Sequence, residues 1–176
     1  MTANSLGLIG AHHIGITVPD LDQAIAFFRD VLGLEALVHS APDQVNIGYV
    51  TTHLGADEGS RLVRLAILPC LGANVELLEY TKPGGLGVAP APSNNGATHL
   101  ALSVKDAAAA ARYLRDRGVM VLEGPSKVED GDLAGLRWVY FRTPWGTTVE
   151  LVEGTANLGY ARRTRARLWD ASQPSN

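Results

Sequence analysis

Two histidines and two glutamates stand at matched places in this sequence, and together they make a ligand set for a divalent cation. His13 and His99 are 86 residues apart, and so are Asp20 and Asp106. Glu76 and Glu150 are 74 apart, each second in a nearly identical apolar stretch, "VELLE" at 75–79 and "VELVE" at 149–153. Imidazoles and carboxylates in this mixture suit Zn, Ni, Co, Mn or Fe(II), and six-coordination would leave two places for water or substrate oxygens. A single histidine at a strand end, or one carboxylate at a sheet edge, is ordinary surface chemistry. Four such groups at the same places in two copies point instead to one bound metal ion.

The duplication extends to the elements that must position these groups. "HHIGITVPD" (12–20) is matched by "THLALSVKD" (98–106), and Gly33 by Gly118 at an offset of 85. The first copy holds about a dozen more residues, which fall in "APDQVNIGYVTTHLGADEGS" (41–60), a segment rich in turn formers that reads as loop or as loop with a short helix. Ile14, Ile16 and Val18 alternate with His13, Gly15 and Thr17, and Leu100, Leu102 and Val104 alternate with His99, Ala101 and Ser103, both at strand period. A helix follows each strand. Asp20 caps the first, with Gln23 three residues on, Gly33 as terminator, and Leu21, Ile25, Phe28 and Leu32 as the apolar stripe. Asp106 and Gly118 bracket the second, whose stripe is Ala107, Ala110, Ala111 and Leu114. Three further strands are expected in each copy, near 34–39, 61–69 and 74–80, then near 119–123, 136–142 and 147–153.

The organisation is therefore β-α-β-β-β, twice, an α+β chain of tandem modules. The first module covers 11–81 and the second 98–154, joined by a Gly- and Pro-rich linker at 82–97 and followed by a C-terminal extension at 155–176. Strand parity places the large aliphatics of each first strand under the helix. His13 and His99 then share the opposite face with small residues, which leaves room above the sheet. His12 lies on the Ile14 side and is the poorer candidate. Glu76 and Glu150 point away from the aliphatic face, where a charge needs a partner or water. Glu79 and Glu153 have the opposite parity and read as solvated.

Composition bounds the function. The chain has 176 residues, 46% of them hydrophobic, and a net charge of -3, which gives a nucleic-acid partner no electrostatic basis. The local exception, "YARRTRAR" with Arg162, Arg163, Arg165 and Arg167, reads as a solvated helix face or an arm packing on a partner subunit. Cys70 is the only cysteine, so an intrachain disulfide is excluded, and a buried, inert thiol in a reducing cytoplasm is expected. Neither a secretory signal nor a membrane-length apolar run is seen, so the expectation is a soluble cytoplasmic protein.

On these residues the chain resembles the vicinal oxygen chelate superfamily, which includes glyoxalase I, methylmalonyl-CoA epimerase, extradiol dioxygenases and bleomycin or fosfomycin resistance proteins. "HHIGITVPDLDQAIAFFRDVLGLE" is similar to the superfamily's opening and "YFRTPWGTTVELVE" to its close, and the likeness covers about residues 11–154. The resemblance implies two modules forming an open, cup-shaped mixed sheet around one divalent metal, and a homodimer. It places the metal ligands on His13, Glu76, His99 and Glu150, in agreement with parity.

The superfamily does not fix the reaction, and three readings follow. In the first, glyoxalase- or epimerase-like, the metal binds a carbonyl or enediolate of a small substrate. A ligand glutamate that detaches, Glu150 first and Glu76 second, then moves a proton on the adjacent carbon. "VELLEYTKP" is similar to the epimerase strand, yet Arg64 stands where that branch's additional acidic residue would align. The second is an Fe(II) ring-cleaving dioxygenase using His13, His99 and Glu150, with Tyr140 as an acid beside them. Its signature wants a histidine near 131–133, and "EDGDLAG" has none. The third is a drug-binding resistance protein without catalysis, which keeping all four positions argues against. Trp138 and Trp145 could line a pocket wall or simply pack, and the 41–60 loop with His53 is the natural place for substrate selection.

Overall fold

The computed structural model describes residues 10–40, 47–70, 72–81 and 89–171. The N-terminal nine residues, 41–46 of the expected loop, 82–88 of the expected linker and the last five residues lie outside the described ones. The chain divides into two compact units, Met1–Pro83 and Gly84–Asn176. Each is a mixed sheet with a helix after its first strand, the first unit has a second helix besides, and the class is α+β. No helix among the described residues is long and apolar enough to cross a membrane.

The first unit runs β1 (His13–Val18), α1 (Leu21–Asp30), β2 (Val38–Ser40), α2 (Ile47–Leu54), β3 (Arg61–Cys70) and β4 (Ala73–Thr81). Its sheet order is β1-β4-β3-β2, with β1 parallel to β4 and the remaining pairs antiparallel. The second unit runs β5 (Leu100–Ser103), α3 (Ala107–Asp116), β6 (Met120–Val121), β7 (Ser126–Lys127), β8 (Arg137–Arg142) and β9 (Thr148–Glu153). Its order is β5-β9-β8-β6, with β7 also on β8. The parallel pair in each unit requires a crossover, and the helix belongs to it.

Both helices start where the aspartates predict. Asp20 accepts from Gln23 N at 3.0 Å and Asp106 from Ala109 N at 2.8 Å, each from an extended backbone. Gly33 and Gly118 then turn the chain in the left-handed region, with φ of 72° and 73°, so that Leu34 N reaches Phe28 O and Val119 N reaches Leu114 O. The buried faces are rotated from the expected stripes. In α1 the core residues are Leu21, Ala24, Phe27 and Phe28, with Ile25 and Leu32 only half-buried. In α3 they are Ala107, Ala111 and Leu114, and Ala110 is half-buried. Spacing sets the angular width of an apolar stripe, and its neighbours set which edge of it is covered.

Two expected strands are much shorter than their patterns. The first module's second strand is only Val38–Ser40, and all three of its residues are exposed. Its counterpart is broken into β6 and β7 on either side of Gly124-Pro125, where proline has no N–H for the ladder. Both pair through one neighbour only, so weak alternation at an edge brings little pairing.

Glu79 and Glu153 are not solvated, contrary to the parity reading. Glu79 Oε2 accepts from Leu21 N at 3.3 Å, and Glu153 Oε2 accepts from Ala107 N at 2.8 Å, each at the first residue of its helix. Each also holds an arginine from the neighbouring strand. Arg64 reaches Glu79 at 2.7 Å and Arg137 reaches Glu153 at 2.8 Å, both at the same cross-strand register. Arg64 extends to Asp22 as well. A carboxylate at a helix N-terminus meets unpaired N–H groups and the positive end of the dipole. The last glutamate of "VELLE" and of "VELVE" is thus a clamp between sheet and helix, and Arg64 is its counter-charge. Glu153→Ala should cost about 1–2 kcal/mol, which lowers Tm by roughly 2–8 °C in a chain of this size. A thermal melt unchanged within about 1 °C would contradict the clamp.

The arginine run is not a helix face. Residues 155–157 and 159–162 form two 3-10 turns, Tyr160 N donates to Asp132 O at 2.9 Å, and Arg163 pairs with Asp132. Cys70 is half-buried, and burial pushes its thiol up from its ordinary range.

Candidate active site

In the first unit, β1 and β4 bring His13 to Glu76. The register sets Gly15 opposite Glu76, and a Cβ on Gly15 would stand 3.8 Å from Glu76 Oε2 and 3.4 Å from Leu78 Cδ1. Both are ordinary contact distances, so an alanine would fit there, as Ala101 does in the second unit. His13 Nε2 lies 3.3 Å from Glu76 Oε2, with the imidazole side chain 40% exposed and the carboxylate 19%. In the second unit the same register sets Ala101 opposite Glu150, and His99 Nε2 lies 3.0 Å from Glu150 Oε2, with exposures of 43% and 13%. Each unit therefore offers an accessible imidazole over a shielded carboxylate. Val75, Leu77, Val149 and Leu151, which alternate with the two glutamates, are buried on the opposite face.

The spacing within each pair fits a common cation. Two ligands with bonds of about 2.1 Å meeting at a right angle have donor atoms roughly 3 Å apart. Hard carboxylate and borderline imidazole donors suit the first-row divalent ions. Among the described residues no group of three or more His, Cys, Asp or Glu that could hold a metal ion is gathered; the structure brings the four together as two separate pairs, His13 with Glu76 and His99 with Glu150.

Tyr140 belongs with the second pair. It stands opposite Glu150 in the β8–β9 register, and its ring meets that of His99 edge-on at 5.4 Å. Burial, then the charge of Glu150, pushes its hydroxyl above the usual tyrosine range, which favours the protonated phenol. Trp138 follows on the same face, its ring 5.3 Å from that of Tyr140. The Thr-Pro-Trp-Gly-Thr stretch is the β8–β9 turn, closed by Gly146 N to Thr143 O at 2.9 Å. Trp145 is half-buried in that turn, and His53 is exposed in the last turn of α2.

The first unit has a phenol that sequence reading passed over. Tyr80 lies four residues after Glu76 on β4, hence on the same face. Burial and the Glu76 charge raise it in the same way. Its strand parity was a usable signal. The two phenols come from different strands, β4 and β8, so duplication did not copy them.

A fold of two such modules with a His–Glu pair in each defines a class, and comparison agrees. The chain belongs to the Glyoxalase/Bleomycin resistance protein/Dioxygenase superfamily, whose family model matches residues 10–151. Among characterised relatives it is similar to a 2-epi-5-epi-valiolone epimerase from Actinomyces sp., 42% identical over 166 residues, or 93% of this chain and 89% of the relative. Among solved structures, a glyoxalase family protein from Bacillus cereus superposes with a TM-score of 0.65 at 21% identity, covering 87% of this chain and 97% of that one. A lactoylglutathione lyase from Agrobacterium tumefaciens gives 0.52 at 21% identity, covering 84% and 96%.

Proposed function

We propose that this chain is an epimerase that inverts one carbon centre beside the carbonyl of a small hydroxylated ketone, with 2-epi-5-epi-valiolone as the leading substrate. The observation that carries this reading is the 42% identity to an enzyme of that name across nearly the whole of both chains. Arg64 does not oppose it. The position where one epimerase branch carries an acid is here used to hold Glu79 and the start of α1. The dioxygenase reading gains no histidine at 131–133, where Asp132 pairs with Arg163 instead.

In this reading His13, Glu76, His99 and Glu150 are the ligands of a divalent cation. When bound, such a cation stabilises the negative charge that develops on a carbonyl oxygen as the neighbouring carbon loses its proton. The proton itself is the work of the chain. Glu150 Oε2 accepts it from one face of the carbon, and inversion is completed when a proton is delivered to the opposite face, for which Glu76 is the second carboxylate able to carry one. The phenol of Tyr140, kept protonated beside Glu150, donates a hydrogen bond to substrate oxygen. The Trp138 ring on the same face supplies an apolar wall and keeps water from the carbanion-like carbon.

The test is incubation of the protein and a divalent metal salt with 2-epi-5-epi-valiolone in D₂O, followed by NMR. The expected product differs from the substrate at one centre and carries one deuterium at that carbon. Absence of both conversion and exchange under any of the five metals would remove the epimerase reading.

A further inference from the structure

The two His–Glu pairs are supported differently from behind. His12 Nδ1 lies 2.8 Å from His13 Nδ1, on the side of the ring away from the Nε2 that faces Glu76. The two rings meet edge-on at 5.1 Å. The backbone of His12 is itself pinned, because its carbonyl accepts from Asn74 N at 3.1 Å and from Asn74 Nδ2 at 2.8 Å. Asn74 is two residues before Glu76 on β4. One asparagine thus ties the segment carrying both histidines to the strand carrying the carboxylate. The second unit has Thr98 at the corresponding place, and there His99 meets the ring of Tyr140 instead.

We propose that His12 is a positioning residue that holds His13 in the tautomer and ring orientation needed to bind a divalent cation through Nε2. The inference rests on the ligand assignment made above. An imidazole that gives its Nε2 lone pair to a cation carries its proton on Nδ1, and that N–H needs an acceptor. Nδ1 of His12, in the tautomer that carries its hydrogen on Nε2, is such an acceptor at hydrogen-bond distance. A ring fixed in this way loses less freedom on binding and is the more basic ligand. The first unit would then be the firmer half of the site. Among the described residues no second imidazole stands behind His99, and Glu150 is then the carboxylate freer to leave and act as base.

The experiment is a Co(II) titration of the full chain against a chromophoric chelator, with far-UV circular dichroism to verify folding. His12→Ala should weaken Co(II) binding about 10- to 100-fold, the usual effect of losing a group behind a ligand. His12→Asn should restore most of it, since an asparagine oxygen can stand near the place of Nδ1 and accept the same N–H. His13→Ala serves as the reference and should lose more than His12→Ala. Unchanged affinity in His12→Ala, with loss in His13→Ala, overturns the positioning role alone. Equal losses in His12→Ala and His13→Ala, with no rescue by asparagine, would make His12 a ligand and overturn it too. Unchanged affinity in His13→Ala would remove the ligand assignment and this inference together.

Discussion

Glu150→Gln should lower epimerase turnover on the order of 10³-fold, within the usual range for removing a positioned base. Glutamine keeps the size of the side chain and one carbonyl oxygen, so β9 and its register with Ala101 and Tyr140 should be preserved. It removes the group that accepts a proton from carbon in the proposed reaction, and it removes the carboxylate oxygen 3.0 Å from His99 Nε2. Cation content measured alongside turnover separates these effects. A variant that retains its metal but neither epimerises substrate nor exchanges its proton with D₂O has lost the base. A variant keeping more than about a tenth of wild-type turnover would move the proton-transfer role elsewhere, with Glu76 the next carboxylate to test.

Phe28→Ala should be the most damaging single core change in the first unit. Phe28 is completely buried on α1, which packs on β3 and β4, and those strands turn Ala66, Leu68, Val75 and Leu77 inward. Truncating a buried phenylalanine loses its transfer energy and leaves a cavity that collapses only in part, at about 3–5 kcal/mol. At roughly 2–4 °C per kcal/mol for a chain of this length, Tm should fall by about 6–20 °C. Against a total stability on the order of 5–15 kcal/mol, that is a large share. The change should reach the site as well, because Val75 and Leu77 flank Glu76 on β4 and anchor the face opposite it. A loss under about 1 kcal/mol in a denaturant titration would mean that α1 is not the keystone of this unit's core.

Much of the local architecture was legible along the chain. Asp20 and Asp106 announced the helix starts because capping involves only residues three apart. Gly33 and Gly118 announced their ends because a positive φ is a property of one residue. Alternation in "HIGITV" and "VELLE" assigned each side chain to a face. The register itself came from the structure, where Gly15 stands opposite Glu76 and Ala101 opposite Glu150. The edge strands were less legible, since a short pattern with one neighbour does not say how far pairing will run.

The sequence by itself determined the duplicated modules, their helices, and the face on which each histidine and glutamate sits, because all of these follow from spacing within one strand or one turn. Only the tertiary structure decided what each charged group meets there. Glu79 and Glu153 were assigned the right face but the wrong environment, since Leu21 N, Ala107 N, Arg64 and Arg137 reach them from distant parts of the chain. Parity placed His12 on the Ile14 side and gave no sign of its contact with His13. His12 precedes the first paired residue of β1, so the pleat does not hold its side chain, and its ring turns to His13. Alternation is a local consequence of backbone geometry, whereas the partner of a charge or a ring nitrogen depends on which remote segment folding brings within about 3 Å.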